Sequence, residues 1–566
     1  MPIQHSVQPR EALAVGSPSF DDPLCAQEAR LHGAAAAWRL ALSQGPPHSA
    51  AAGVGGDFAV ALPLPGGGGF LAVDRFAVRS LCYRIDDGVM RWAERADALA
   101  EAGTAPVPQA IFEYLYFHCI PSPHTVFEGV HRLPPGHCAV YSDGQLVVAP
   151  YWVPSFAPSP SANFDALRAE FRQLLQRAVQ RQLDGSRPAC YLSGGTDSST
   201  IAGMVGVVVG RPAATYSIGF DAEGYDEMQF ARVAARHFGT DHHEYYVTPD
   251  DLVRHIPLVA ASYDQPFGNS SALPAYCCAL AARADGVTRL LAGDGGDELF
   301  GGNTRYAKQR VFGWYTRLPA ALRQQVLEPV LSTRLVAGLP LLRKGASYVE
   351  QARVAMPDRL QMYNLLLRLG IGTVLEPEFL AHTDTQAPAR QQREVWAAAQ
   401  AHSLVDRMLA YDWRYTLAES DLPKVRGSSG LAGVEVGFPL LDRDLLEFSL
   451  RLPTAYKLKG LTLRWFFKEA LRGFLPDQTL RKKKQGFGLP FGVWMMQHPD
   501  LKSLAVDSLR SLSTRGIVRP AFIDSLLLTH LQQHPGYYGE MVWILMMLEQ
   551  WLRHHAPDFR LATRST

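Results

Sequence analysis

Ala189-Cys190-Tyr191-Leu192-Ser193-Gly194-Gly195-Thr196-Asp197-Ser198-Ser199 is the stretch on which the fold turns. A short apolar run, 189–192, gives way to a loop of glycine and hydroxyl residues, and a helical pattern begins near Ser198. Upstream, Leu167, Phe171, Leu174, Leu175, Ala178 and Val179 recur at helical spacing. Downstream, Ala214–Ile218 and Arg289–Ala292 are further apolar runs, each set off by helical segments. Strands alternating with helices predict a parallel sheet with helices on both faces. Ligands of such sheets bind where a strand ends and a helix begins. Two glycines let the backbone approach a ligand closely, and free N–H groups at a helix start favour an anion. Ser193, Ser198 and Ser199 offer hydroxyl donors to phosphate oxygens. Asp197 repels phosphate, so its expected place is on a magnesium ion. The loop lacks the lysine and the spacing of the G-x-x-x-x-G-K-S/T phosphate loop, and standing alone it reads equally well as an ordinary Gly/Ser turn.

A second segment shifts that balance. Leu291-Ala292-Gly293-Asp294-Gly295-Gly296-Asp297-Glu298-Leu299-Phe300-Gly301-Gly302 runs from a strand into a loop of three carboxylates among five glycines. Crowded carboxylates are costly unless a cation shares the site. A solvated acidic turn is the alternative, but Leu290-Leu291-Ala292 and Leu299-Phe300 predict a partly buried loop. A phosphate cradle and an acidic loop after parallel strands together point to a nucleotide with Mg²⁺ between them.

The rest of the chain bounds these readings. At 566 residues and 62.3 kDa it is long enough for two to four domains. Its 47% hydrophobic and 19% charged residues are the balance of a globular protein. Residues 1–50 are rich in Ala and Pro, with one helix expected from Leu24 to Gln44. From Gly56 to Trp152 short apolar runs at 58–62, 70–73 and 138–141, with Asp143-Gly144 as a hairpin turn, predict an antiparallel β domain. The Pro/Ser-rich stretch 153–163 reads as a linker. From about Trp314 onward the pattern is mostly helical and closes on Met541–Leu548. The fold class is therefore α/β, with domains expected at 1–152 and 164–566. A formal charge of +1 gives no argument for nucleic acid or an anionic membrane. The longest apolar run, Ile201–Gly210, is half of what a bilayer requires. No secretory pattern follows Met1. Seven scattered cysteines without a C-x-x-C pair fit a reducing, cytoplasmic setting.

The two loops, in this order and about 100 residues apart, resemble the synthetase domain of the asparagine synthetase family. Further segments carry the resemblance. Tyr216-Ser217-Ile218-Gly219-Phe220 is similar to the family's adenine-contacting strand, and Asp264-Gln265-Pro266-Phe267 to its D-E-P-F. Val434-Glu435-Val436-Gly437-Phe438-Pro439-Leu440-Leu441-Asp442 resembles L-E-V-R-V-P-F-L-D. Lys484-Gln485-Gly486-Phe487-Gly488 resembles K-x-G-F-G. Gly56-Asp57-Phe58-Ala59, Asp74-Arg75-Phe76, Pro123–Phe127 and Leu133–Gly136 resemble the family's N-terminal-nucleophile-type glutamine amidotransferase domain. That domain needs an N-terminal Cys as nucleophile. Here Pro2 follows Met1, the first cysteine is Cys25, the glutamine-binding N-G-E segment is missing, and only 55 residues precede Gly56. The glutaminase domain is therefore expected to be degenerate.

The resemblance implies an N-type ATP pyrophosphatase. A carboxylate attacks the α-phosphate of ATP, and a nitrogen nucleophile then displaces AMP from the acyl-adenylate. It places ATP against Leu192, Ser193, Gly194, Gly195, Asp197, Ser198, Ser199, Ser217, Ile218, Ala292 and Gly293, Mg²⁺ on Asp197 and Asp297, and catalytic roles on Asp294, Lys484 and Glu435. Read without the resemblance, Lys484 ends the solvated basic run Arg481–Lys484. Glu435 serves the site or pairs with an arginine, and Lys468 is expected on the surface, with nucleotide contact as the alternative. The nitrogen source is left open between ammonia, a partner glutaminase and an amine on the substrate itself. The last is the route of the related β-lactam synthetases and lasso-peptide macrocyclases, and makes an intramolecular amide-forming macrocyclase the alternative. Arg426-Gly427-Ser428-Ser429-Gly430 stands where the family has D-R-x-S-M-A, which argues against free aspartate and leaves a larger small-molecule or peptide carboxylate open. A non-catalytic nucleotide-binding pseudoenzyme is the reading of another class. Ser193, Asp197, Asp294, Asp297 and Lys484 together oppose it. No nucleic-acid or membrane partner is expected, and a homodimer is left open.

Overall fold

Phe58-Ala59-Val60-Ala61-Leu62 has no polar face, and the structure shows why. The computed structural model describes residues 11–101, 103–159, 163–316, 319, 323, 350–483 and 488–561. Strands β1 (Leu13–Gly16), β2 (Phe58–Pro63), β3 (Gly69–Val73), β7 (His137–Ser142) and β8 (Gln145–Pro150) form an antiparallel sheet in that order. Phe58, Val60, Leu62, Phe70 and Ala72 pack on one face against Trp38 and Cys25. Ala59, Ala61, Leu71 and Val73 pack on the other against Tyr83, Met90 and Trp92. These last belong to a second sheet of β4 (Cys82–Asp86), β5 (Val89–Ala93) and β6 (His131–Arg132). Alternation with period two thus serves two cores at once. Asp143 and Gly144 both take positive φ, 52° and 78°, closing the β7–β8 hairpin as expected. The helix expected over 24–44 is instead two, α1 (Pro23–His32) and α2 (Ala34–Gln44), broken at Gly33 with φ 88°.

Helix α3 (Pro108–Phe117) departs from this sandwich. Every residue from Ala110 to Tyr116 is buried, in one cluster with Val259, Phe491, Trp543 and Leu545 from the C-terminal half. The Tyr114 hydroxyl donates to the Ile544 carbonyl at 2.8 Å.

After helix α4 (Phe164–Gln182) comes the parallel sheet, built from β9 (Ala189–Tyr191), β10 (Ala214–Phe220), β11 (Asp241–Val247), β12 (Arg289–Leu291) and β13 (Glu435–Gly437). Its spatial order is β11-β10-β9-β12-β13, all parallel. The chain winds outward from β9 in one direction, then returns and adds β12 and β13 on the other side. The reversal falls between β9 and β12, and the crevice beyond their C-terminal ends is where such sheets bind ligands. Helix α5 (Thr196–Val209) follows β9, and α6 (Ala272–Ala284) precedes β12. Beyond β12 the chain is largely helical, ending in α9 (Pro535–His555), most of which is buried. Among the described residues no helix is long and apolar enough to cross a membrane.

Candidate active site

Both loops singled out in the sequence emerge at that reversal. The first turns sharply at Gly194, whose φ is +68° and whose Cβ position is filled by the Phe230 and Ala231 backbone, so only glycine fits. Ser193 and Ser198 then meet, Oγ to Oγ, at 3.0 Å, and the Ser193 N–H donates to the Ser198 Oγ at 3.1 Å. Gly195 is the N-cap of α5 with no side-chain cap, which leaves the first N–H groups of the helix directed at the crevice. The Ser217 hydroxyl donates to the Leu192 carbonyl, tying β10 to the loop.

The second loop lies against the first. A Cβ on Gly293 would come within 2.7 Å of the Ser198 backbone nitrogen, and one on Gly296 would overlap the Asp197 carboxylate. These two glycines are what let the second loop lie against Asp197 and Ser198. Asp297 lies in the first turn of the short helix α7 (Gly296–Phe300) and, like Glu298, is buried.

Arg464, only 5% exposed and held in a left-handed conformation (φ 52°), binds both carboxylates. One guanidinium nitrogen donates to Asp197 Oδ1 at 2.5 Å and another pairs with Asp297. Burial lowers its pKa, with Asp197 opposing. Lys468, expected on the surface, lines the same cavity, and burial and Arg464 lower its pKa. Lys424, in α8 (Leu422–Leu431), bonds Asp421 at 2.8 Å and lies 4.0 Å from Asp294. Burial would lower its pKa, but the two carboxylates outweigh this and hold the ammonium above its ordinary range.

A cavity of about 1010 Å³ opens over these groups. Leu192, Ser193, Gly195, Asp197, Ser198, Ile218, Gly293, Asp294 and Asp297 line it. Gly194, Ser199, Ser217 and Ala292 lie beneath the lining, and the buried Ser199 hydroxyl has no hydrogen-bond partner among the described residues. Lys484 lies outside the described residues, whereas Arg481, Lys482 and Lys483 just before it reach the cavity. Glu435 is not brought to the site. It begins β13, at the end of the strand opposite the crevice, where its side chain is 61% exposed and takes Arg79 at 3.0 Å. Pairing with an arginine, the alternative weighed from sequence, is what the structure shows.

Arg464, Lys424, His118 and Glu540 were not singled out from the sequence, and all four line the cavity. A charged residue inside an otherwise apolar helical stretch was the available signal for Glu540. Arg464 gave none. Among the described residues no cluster of three or more His, Cys, Asp or Glu is arranged to hold a metal. The Asp197 and Asp297 carboxylates are nevertheless hard oxygen donors of the kind that suit Mg²⁺.

The family model for asparagine synthase matches residues 170–553, and that for the glutamine amidotransferase domain matches 42–152. The chain is 23% identical to glutamine-hydrolyzing asparagine synthetase 1 of Bacillus subtilis (strain 168), over 85% of this chain and 74% of that protein. It is 27% identical, over 78% of this chain and 67% of the other, to a Mycobacterium tuberculosis (strain ATCC 25618 / H37Rv) protein named for the same synthetase activity. It is 23% identical to the amidase chyE of Penicillium rubens, over 75% and 68%.

Proposed function

Because this chain belongs to the asparagine synthase family, whose members form amides with ATP, we propose that it activates an Asp or Glu side-chain carboxylate as an acyl-adenylate and transfers the acyl group to nitrogen. In the first step a carboxylate oxygen attacks the α-phosphorus, the bond to the β-phosphate oxygen breaks, and pyrophosphate leaves. In the second, nitrogen attacks the acyl carbon, AMP departs, and the nitrogen gives up its proton. The observation that carries this reading is the meeting of an uncapped helix start with Asp197 and Asp297 at the reversal of the parallel sheet.

Ser193, Gly194, Gly195, Ser198 and the α5 N–H groups would hold the pyrophosphate, with Ser217, Ile218, Ala292 and Gly293 shaping the nucleotide side. Ser199 would support the loop from beneath. Asp197 and Asp297 supply the hard oxygen donors that suit Mg²⁺, and Arg464 between them must give way for both to share it. The bound ion would neutralise charge on the phosphates. Lys484 would add a fixed positive charge at the leaving pyrophosphate. Asp294, beside Lys424, would orient the nitrogen nucleophile and take its proton.

Residues 1–152 would then be a degenerate glutaminase domain, 153–163 a linker and 164–566 the synthetase domain, with nitrogen arriving from elsewhere. All seven cysteines are buried, which supports a glutaminase domain without an accessible thiol nucleophile. Burial, with Asp22 beside it, pushes the Cys25 thiol up to about 11, so it is not a thiolate at neutral pH. Intramolecular amide formation by a macrocyclase of the lasso-peptide or β-lactam synthetase kind is the second reading. Arg426, which stands in place of the family's aspartate, turns away to Glu94 at 3.0 Å. This departure favours a substrate other than free aspartate.

The test is pyrophosphate release from Mg·ATP with aspartate, and with peptides bearing Asp or Glu, alone and with ammonium or glutamine. Asp197→Ala is the control. Release that requires a carboxylate, with ammonium not replaceable by glutamine, is expected. Glutamine-driven turnover overturns the inactive glutaminase, and no release with any carboxylate overturns the adenylate reading.

A further inference from the structure

The cavity has a second wall, built by Phe117 and His118 at the end of α3, Asn269 before α6, and Glu540 in α9. The Gly268 N–H donates to the His118 carbonyl at 2.8 Å, and the Trp543 ring N–H to the Gly268 carbonyl at 3.1 Å, fixing the three segments to one another. The cationic residues of the cavity are Lys424, Arg464, Lys468, Arg481, Lys482 and Lys483. Lys424 is engaged by Asp421 and Asp294, Arg464 by Asp197 and Asp297, Arg481 by Asp477, and Lys482 by Glu227. Lys468 sits beside Arg464, and Lys483 makes no ion pair among the described residues. None of these pairs reaches Glu540, which has neither hydrogen bond nor ion pair among the described residues.

Burial alone raises the Glu540 carboxyl, to about 7. The titratable group that feels it is Tyr114, and His118 lines the same cavity. Tyr114 stays a phenol, its pKa pushed up by burial, and burial lowers His118 to about 4, so neither supplies a positive charge. A carboxylate in a partly dry wall without a protein cation is unfavourable unless a ligand provides one. Amide formation brings such a ligand, because ammonia and most primary amines are cations near neutral pH.

We propose that Glu540, in the cavity wall that also holds His118 and Asn269, is the receiving site for the ammonium group of the nitrogen substrate. This rests on the reading that the amide is made in this cavity. It makes Glu540 a binding residue for a primary ammonium and leaves proton removal to Asp294. It also gives the N-terminal half, through His118, a part in substrate recognition.

The experiment titrates the full chain, without nucleotide, with propylammonium chloride at a pH of about 8, where Glu540 is ionised. Propanol serves as the neutral control. Saturable binding of propylammonium and none of propanol is expected. Glu540→Gln should weaken it about tenfold or more, Glu540→Asp should retain most of it, and both variants should melt with the wild type. If Glu540→Gln fails to fold, lowering the pH of the wild type through about 7 must weaken binding in the same way. Absence of saturable binding, or binding undiminished by Glu540→Gln and by low pH, overturns the proposal. A silent pyrophosphate assay does not bear on this titration, and a failed titration leaves the adenylate reading standing.

Discussion

Asp197 and Asp297 come from loops about 100 residues apart and meet on one guanidinium. Both are expected to be indispensable. Asp197→Asn and Asp297→Asn should each lower pyrophosphate release by about 100-fold or more, with the melting temperature measured in parallel to exclude unfolding. Glu435→Gln should leave turnover within about twofold, because an exposed ion pair contributes little. A large loss of activity in Glu435→Gln would return that residue to the site. At this scale the sequence was legible where chemistry is local. Ser193 to Ser199 and Asp294 to Asp297 sit in short glycine-rich runs whose neighbours announce them. Arg464 and Glu540 were not legible, because tertiary packing brings them to the cavity from segments of ordinary appearance. Glu435 misled for the opposite reason, as its apolar neighbours concealed an exposed strand start facing Arg79.

The two loops act as one element because glycine allows them to interlock. Gly293→Ala would force its methyl to 2.7 Å from the Ser198 nitrogen, against backbone that cannot move aside. It should cost about 1–3 kcal/mol, measured as a shift in urea midpoint, and should weaken nucleotide binding together with stability. Ala at Gly210, which also has positive φ but meets no atom within 4 Å, should cost only its backbone strain and leave nucleotide binding unchanged. Elements with a clean period were legible: α4, β9, β12 and the 143–144 hairpin lie where the apolar spacing puts them. Strand β11 was not, because Asp241-His242-His243-Glu244 forms a sheet edge and carries few apolar residues. The single helix expected from Leu24 to Gln44 ignored Gly33, whose positive φ lets α2 turn back against α1.

For the molecule as a whole, side chains tie the N-terminal half to the C-terminal half. Glu419 accepts from the Ser122 N–H and hydroxyl and pairs with Arg132 and Arg414. Burial would raise its carboxyl, but the two arginines outweigh this and hold it below the ordinary range. Its contribution to stability is therefore complete above the unfolded carboxyl's value of 4.5 and is lost as pH falls through the lower folded value. Glu419→Gln should destabilise the protein by about 3–5 kcal/mol near neutral pH and flatten this part of the acid dependence of the urea midpoint. Residues 163–561 alone should lack a cooperative thermal transition, since Ile111, Phe112, Tyr114 and Leu115 would be missing from their core. The architecture of a β sandwich followed by a parallel sheet was legible from spacing. The burial of α3 in the second half was not, because an apolar helix does not reveal which core receives it. Shortening from the N-terminal side consequently has a floor. Descendants of this chain could discard the sandwich around β1 and β2 piece by piece, yet a passenger that has become a pillar at residues 108–130 would have to be inherited intact.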